Sequence, residues 1–149
     1  MAKVVIDANV LISAVFGGLP LEAINLALLH HEVFYSGDIE NELKGVLQKL
    51  DVKLKNNQLQ KLRENISRFL SFCKKTSVTE NLSICRDRKD DRYLSLCKQI
   101  SADFLITGDK DLLTIAKELL QKNNLTSNII SPAEFVRQEL LQGRPGAEE

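Results

Sequence analysis

The hydrophobic positions of this chain follow two periods in alternation. Short runs rich in β-branched and aromatic residues, Val4-Val5-Ile6, Val33-Phe34-Tyr35, Phe104-Leu105-Ile106 and Asn128-Ile129-Ile130, read as strands. Between them, apolar residues recur every three or four positions, as on helices with one buried face. Val10, Leu11, Ala14 and Val15 begin the first helix, and Pro20 opens a second with the stripe Leu21, Ile24 and Leu28. Ile39, Leu43, Val46, Leu47 and Leu50 mark a third, and Leu59, Leu62, Ile66, Phe69, Leu70 and Cys73 a fourth. Tyr93, Leu94, Cys97 and Ile100 mark the next, and one further helix is expected to bury Leu112, Leu113, Ala116, Leu119 and Leu120. Ser131-Pro132-Ala133-Glu134 has the form of a capping box with Pro at the first helical position, so a last helix starts there. The segment from Val78 to Cys85 reads as a short strand or an extended connection.

Strands that alternate with helices build a parallel sheet covered on both faces. The expected fold is α/β, a single three-layer α/β/α domain with a central parallel sheet, spanning residues 1–142 and followed by a disordered tail over 143–149. No repeat and no interdomain linker interrupts the pattern. No apolar run reaches the roughly 20 residues of a membrane span, and the first strand follows the N-terminus without a signal-peptide pattern. Cys73, Cys85 and Cys97 are odd in number and lack C-x-x-C spacing, so they read as reduced thiols of a cytoplasmic protein. His30 and His31 fall together at a turn and read as surface imidazoles. With no G-x-S-x-G either, Ser-His-Asp chemistry finds no support.

The formal net charge is zero, from 20 basic and 20 acidic residues, but it is unevenly spread. From Lys44 to Lys75 nine basic residues face two acidic ones, a net +7 in 32 residues. This block falls on the two amphipathic helices of a hairpin, as a solvated face or as a surface that meets phosphate.

The acids fall at telling places. Asp7 ends the first strand and Asp109 follows the strand that ends at Thr107. Glu42 lies early in the third helix, and Asp87, Asp90 and Asp91 open the helix that carries Tyr93. Any one of them reads equally well as a cap, since Asp is a favoured N-cap and the helix dipole favours anions there. Parallel connectivity, however, brings all these ends to one edge of the sheet. Four or more carboxylates converging there repel unless a cation joins them. Their ligands are hard oxygens without His or Cys, which selects Mg²⁺ or Mn²⁺ over Zn²⁺.

The order V-V-I-D-A-N-V-L, S-G-D-I-E-N-E-L, C-R-D-R-K-D-D-R-Y-L, D-F-L-I-T-G-D-K-D-L-L and the closing I-I-S-P-A-E-F resembles a PIN domain over essentially the whole chain. The branch it is similar to is that of toxin–antitoxin toxins such as the VapC ribonucleases. The resemblance implies a metal-dependent endoribonuclease acting on single-stranded or looped RNA, silenced by a cognate antitoxin, and forming a homodimer. It implies Asp7, Glu42, Asp91 and Asp109 as catalytic metal ligands and Asp111 as an auxiliary acid. Asn9, Thr107 and Asp90 would support them, Asn9 by hydrogen bonding to Asp7. Lys49, Lys53, Lys55, Lys61, Arg63, Arg88 and Lys89 would meet RNA. The pattern departs from the branch where Arg88-Lys89 stands between Asp87 and Asp91, which leaves the choice of Asp91 over Asp90 open. One rival is a catalytically idle PIN fold that binds RNA or protein. A haloacid-dehalogenase-like phosphatase would need a second acid where Asn9 stands.

Overall fold

The strand that opens the chain becomes the middle of the sheet because both of its faces are apolar. In the computed structural model, which describes residues 1–144, β1 (Lys3–Ile6) holds Val4 and Val5 at 0% exposure and Ile6 at 3%. Successive strand residues point to opposite faces, so their joint burial means that helices cover the sheet on both sides. The other strands are β2 (Glu32–Tyr35), β3 (Lys74–Lys75), β4 (Phe104–Ile106) and β5 (Asn128–Ile130). All pair in parallel in the order β3-β2-β1-β4-β5. The fold is thus the expected three-layer α/β/α arrangement around an all-parallel sheet.

Eight helices connect and flank the strands among the described residues: α1 (Ala8–Ala14), α2 (Gly18–His30), α3 (Gly37–Leu50), α4 (Asn56–Ser71), α5 (Arg88–Ile100), α6 (Lys110–Leu113), α7 (Lys117–Lys122) and α8 (Pro132–Leu141). No single one of them is long and apolar enough to cross a membrane. Gly17 and Gly18 turn the chain between α1 and α2 with φ of 87° and 75°, a region that side chains with a Cβ avoid. Ser131 caps α8 by accepting from the Glu134 amide at 3.2 Å, with Pro132 at the first helical position as expected.

Three expectations change. The helix expected after Gly108 is two short ones, broken at residues 114–116. α6 ends after one turn because the backbone turns extended at Ala116 (φ −61°, ψ 132°), which begins α7. Of the five residues expected to be buried, only Leu112 is, while Leu119 is 38% exposed. His31 is not a surface imidazole. It is 8% exposed, its Nδ1 accepts the Ala2 amide at 2.9 Å, and its Nε2 faces Glu139 Oε1 at 2.6 Å. The third change is at the C-terminus, where Gly143 (φ 78°) and Arg144 still close α8. Their amides donate to Leu140 and Glu139, and Arg144 donates to the Glu139 carboxylate. The rest of the expected tail, 145–149, lies outside the described residues.

Between Val78 and Cys85 the chain is an extended connection, with no strand of its own. It is laced to α5 by Leu82 N–H donating to Ser95 Oγ at 2.8 Å and by Thr79 donating to Gln99.

Candidate active site

The β1–β4 and β4–β5 ladders each run one residue past the strand ends, and this sets the site. The Asp7 amide donates to the Ile106 carbonyl and the Thr107 amide to the Ile130 carbonyl, both at 2.9 Å. Asp7 and Thr107 therefore leave adjacent strands side by side at the carboxyl edge of the sheet. The Thr107 hydroxyl donates to Asp7 Oδ2 at 2.6 Å and accepts the Asp109 amide at 3.0 Å. Asp7 Oδ1 accepts the Asn9 amide at 3.0 Å, so the cap and the site are the same carboxylate. The bond from Asn9 comes from its backbone, and its side chain stands exposed.

Asp109 caps α6 by accepting the Asp111 amide at 2.9 Å, which holds both acids at one helix start. From the far side α5 points Asp90 at them. Asp90, Asp109 and Asp111 each offer an oxygen, and the three oxygens lie within 4.8 Å of one another. Asp90 is only 6% exposed, and burial, the Asp109 charge and a hydrogen bond with Asp109 push its pKa up to about 7. A proton held on Asp90 near neutral pH removes part of its repulsion with Asp109.

Glu42 completes the acidic edge from α3. Burial pushes its pKa up, opposed by a hydrogen bond from Tyr93 and raised further by the Asp7 charge. The Tyr93 hydroxyl donates to Glu42 Oε1 at 2.9 Å and itself accepts the Ala8 amide at 2.9 Å. By sequence, Tyr93 stands out only as part of a core stripe. A Tyr among buried aliphatics needs a partner for its hydroxyl, and that was the available sign.

Asp91, the acid chosen from the sequence, goes elsewhere. Its Oδ1 accepts the amides of Ile84 and Cys85 at 2.8 and 2.7 Å, which ties the 78–85 connection to α5. Neighbouring helix residues point about 100° apart, so one register cannot put both acids at the cluster. Asp90 occupies the place expected of Asp91. Asp87 stays at the helix start, where it accepts the Lys89 amide at 2.9 Å.

The acids lie between two depressions. One, of about 330 Å³, is lined by Asp7, Asn9, Ser13, Pro20, Gly108 and Asp109. The other, of about 210 Å³, is lined by Cys85, Arg86, Asp87, Asp90 and Asp111 among others. Lys49, Lys53, Lys55, Lys61 and Arg63 on α3, α4 and their connection are exposed, as are Arg88 and Lys89 at the start of α5. None of these seven forms an ion pair among the described residues, whereas Lys74 and Lys75 are engaged by Glu32 and Glu40. Both histidines sit at the opposite edge of the sheet, where α2 hands over to β2.

An all-parallel α/β domain with clustered acids beyond two adjacent central strands belongs to the class that places its chemistry at the carboxyl edge of the sheet. Within that class, the model of the PIN domain family matches residues 3–111, and the chain belongs to that family. No curated protein sequence matches it. Its fold is similar to that in the crystal structure of PAE2754 from Pyrobaculum aerophilum. That likeness has a TM-score of 0.64 at 14% identity and covers 95% of this chain and 91% of that one. It is also similar to VapBC2 from Rickettsia felis, crystallised with a DNA fragment from its promoter, at a TM-score of 0.57 and 12% identity over 87% and 98%.

Proposed function

We propose that this protein is a Mg²⁺- or Mn²⁺-dependent endoribonuclease that cleaves single-stranded or looped RNA. The observation that carries this reading is the acidic cluster of Asp90, Asp109 and Asp111, with Asp7 and Glu42 on the adjoining elements. The donor set fits a hard divalent cation, because every candidate ligand is a carboxylate oxygen. Cys85, beside the cluster, does not change that. Burial and the Asp91 charge push its thiol up to about 12, so it offers no thiolate at neutral pH. Asp90, Asp109 and Asp111 would hold the cation, with Asp7 and Glu42 beside them. When bound, the cation supplies hydroxide from its own water and neutralises charge on the phosphoryl oxygens.

The chain's own residues do the rest. Thr107 fixes Asp7 through one oxygen and the Asn9 amide fixes it through the other, so the carboxylate cannot turn away from its neighbours. The proton that Asp90 holds more tightly than an ordinary carboxyl relieves its repulsion with Asp109. The exposed cations on α3 and α4 and at the start of α5 attract the RNA backbone and align it along the depressions. No imidazole takes part, since both lie at the far edge.

Purified protein is expected to cut single-stranded RNA with Mg²⁺ or Mn²⁺ and to stop in excess EDTA. Undiminished cleavage in chelator overturns the metal mechanism, and no cleavage with either metal favours an idle RNA- or protein-binding fold. Replacing Lys49, Lys53, Lys55, Lys61 and Arg63 with Gln is expected to weaken RNA binding. It should also flatten the log–log salt dependence by roughly 0.7 for each phosphate no longer neutralised. An unchanged slope makes the block a solvated face only.

We further propose that the protein is the toxin of a toxin–antitoxin pair, acting in the cytoplasm as a homodimer under the control of a cognate antitoxin. Support comes from its PIN membership and from a fold shared with VapBC2, a complex described with promoter DNA. Coexpression with the product of a neighbouring small gene tests it. Growth arrest by this chain alone, relieved by the neighbour, is expected. No arrest on expression of an active nuclease removes the toxin role.

A further inference from the structure

Two hydrogen-bond relays of the same construction meet at the acidic edge. In one, the Asp109 amide donates to the Thr107 hydroxyl, which donates to Asp7 Oδ2. In the other, the Ala8 amide donates to the Tyr93 hydroxyl, which donates to Glu42 Oε1. The direction of the second relay follows from its first member, because an amide can only donate. With the Ala8 N–H on the phenol oxygen, the phenol's single proton is free for Glu42. Tyr93 is 2% exposed, so water does not compete for either bond. The relay joins three helices, with Tyr93 on α5, Glu42 on α3 and Ala8 at the start of α1.

We propose that Tyr93 is a positioning residue of the metal centre: its hydroxyl occupies Glu42 Oε1, so that Glu42 offers a cation Oε2 alone, beside Asp7. This rests on the metal-dependent reading above. Ring packing explains why an aromatic residue stands there, but Phe would pack as well. The Ala8 amide explains why the hydroxyl is kept, because the first amides of a helix have no partner within it. Neither explains why Glu42, on another helix, accepts the phenol's hydrogen bond. The same anchor sets the face of α5 toward the acids, since Asp90 lies one turn before Tyr93. Groups that orient ligands in this way are as much part of a metal site as the ligands are.

The experiment compares Mn²⁺ binding by titration calorimetry, and the Mn²⁺ concentration that half-saturates RNA cleavage, in wild type, Tyr93→Phe, Glu42→Gln and the double variant. Tyr93→Phe is expected to weaken Mn²⁺ binding about 10–100-fold. Excess Mn²⁺ should restore most of the cleavage, which a merely structural defect would not allow. In the Glu42→Gln background the Tyr93→Phe change should add nothing further to the loss of Mn²⁺ binding, because it acts through Glu42. Unaltered Mn²⁺ affinity in Tyr93→Phe, or an undiminished loss in the Glu42→Gln background, overturns the proposal. A second measurement leaves the fold untouched: with 3-fluorotyrosine at the two tyrosines, Tyr35 and Tyr93, Mg²⁺ should shift the ¹⁹F resonance of Tyr93. A Tyr93 resonance blind to saturating Mg²⁺ overturns it equally. Wild type that binds no Mn²⁺ removes the metal reading and this one together, whereas wild-type binding with an indifferent Tyr93→Phe removes only the role of Tyr93.

Discussion

Asp90→Asn will reduce metal-dependent RNA cleavage by at least about 100-fold, since even the residues that orient metal ligands are worth 10–100-fold. Without metal, the same change will stabilise the protein at alkaline pH. The folded-state pKa of Asp90, about 7, lies above the ordinary 3.8, so the folded protein binds this proton more tightly than the unfolded chain. Stability from this group is therefore present at acid pH and is lost as pH rises from about 4 to about 7. Asn lacks the titration. In EDTA at pH 8 the variant should exceed wild type by on the order of 1–3 kcal/mol, and the difference should fade toward pH 4. Saturating Mg²⁺ should reverse the order, because a ligand of the folded state stabilises the protein that binds it.

Asp91→Asn should do the opposite. It weakens two charge-assisted bonds to the amides of Ile84 and Cys85, costs about 1–2 kcal/mol at either pH, and leaves most of the cleavage. Urea unfolding at pH 5 and pH 8, with and without metal, reads all of this. An inactive Asp91→Asn beside an active Asp90→Asn would reinstate the register that the sequence suggests.

The second large effect lies at the other edge of the sheet. Glu139, 2% exposed on α8, holds His31 Nε2 at 2.6 Å and Arg144 at 2.8 Å. Through His31 Nδ1 it also steadies the Ala2 amide, just before β1. Glu139→Ala leaves the His31 donor buried without an acceptor and takes the carboxylate from Arg144, which keeps only its bond to Gln142. Stripping a buried donor of a charged acceptor costs about 2–3 kcal/mol, a large share of an ordinary domain's roughly 5–15 kcal/mol. A fall in Tm of about 4–10 °C is expected. Mn²⁺ binding below that temperature should survive, because the acids stand at the opposite edge. Glu139→Gln keeps an acceptor for His31 and should cost clearly less. A Glu139→Ala protein within about 1 kcal/mol of wild type would mean that α8 is held by its apolar packing alone.

Much of this was legible along the chain, and the reasons are local. Three consecutive β-branched residues before Asp7 can be buried on both faces only in the middle of a covered sheet, and Val4, Val5 and Ile6 are. Parallel connectivity then requires Asp7 and Asp109 to share an edge, whatever the helices do. The exposure of Lys49, Lys61 and Arg63 likewise follows from the narrow apolar stripes of their helices. Where the apolar pattern and the backbone disagreed, the pattern misled. The spacing from Leu112 to Leu120 suits one helix, but the backbone turns extended at Ala116 and divides it in two.

The choice between Asp90 and Asp91 belonged to tertiary structure alone. Both are acids in the first turn of α5, equally suited to its dipole, and they differ only by a rotation about the helix axis. A half-buried helix would reveal that rotation through its apolar stripe. From Tyr93 to Cys97, however, α5 is buried at every position, with β1 and β4 on one side and the 82–85 connection on another. Asp90 meets Asp109 because Tyr93, one turn on, docks against Ala8 and Glu42. Asp91 takes backbone amides because the connection crosses its side of the helix. Those partners lie 85 and 51 residues from Tyr93, and no periodicity within α5 carries their position.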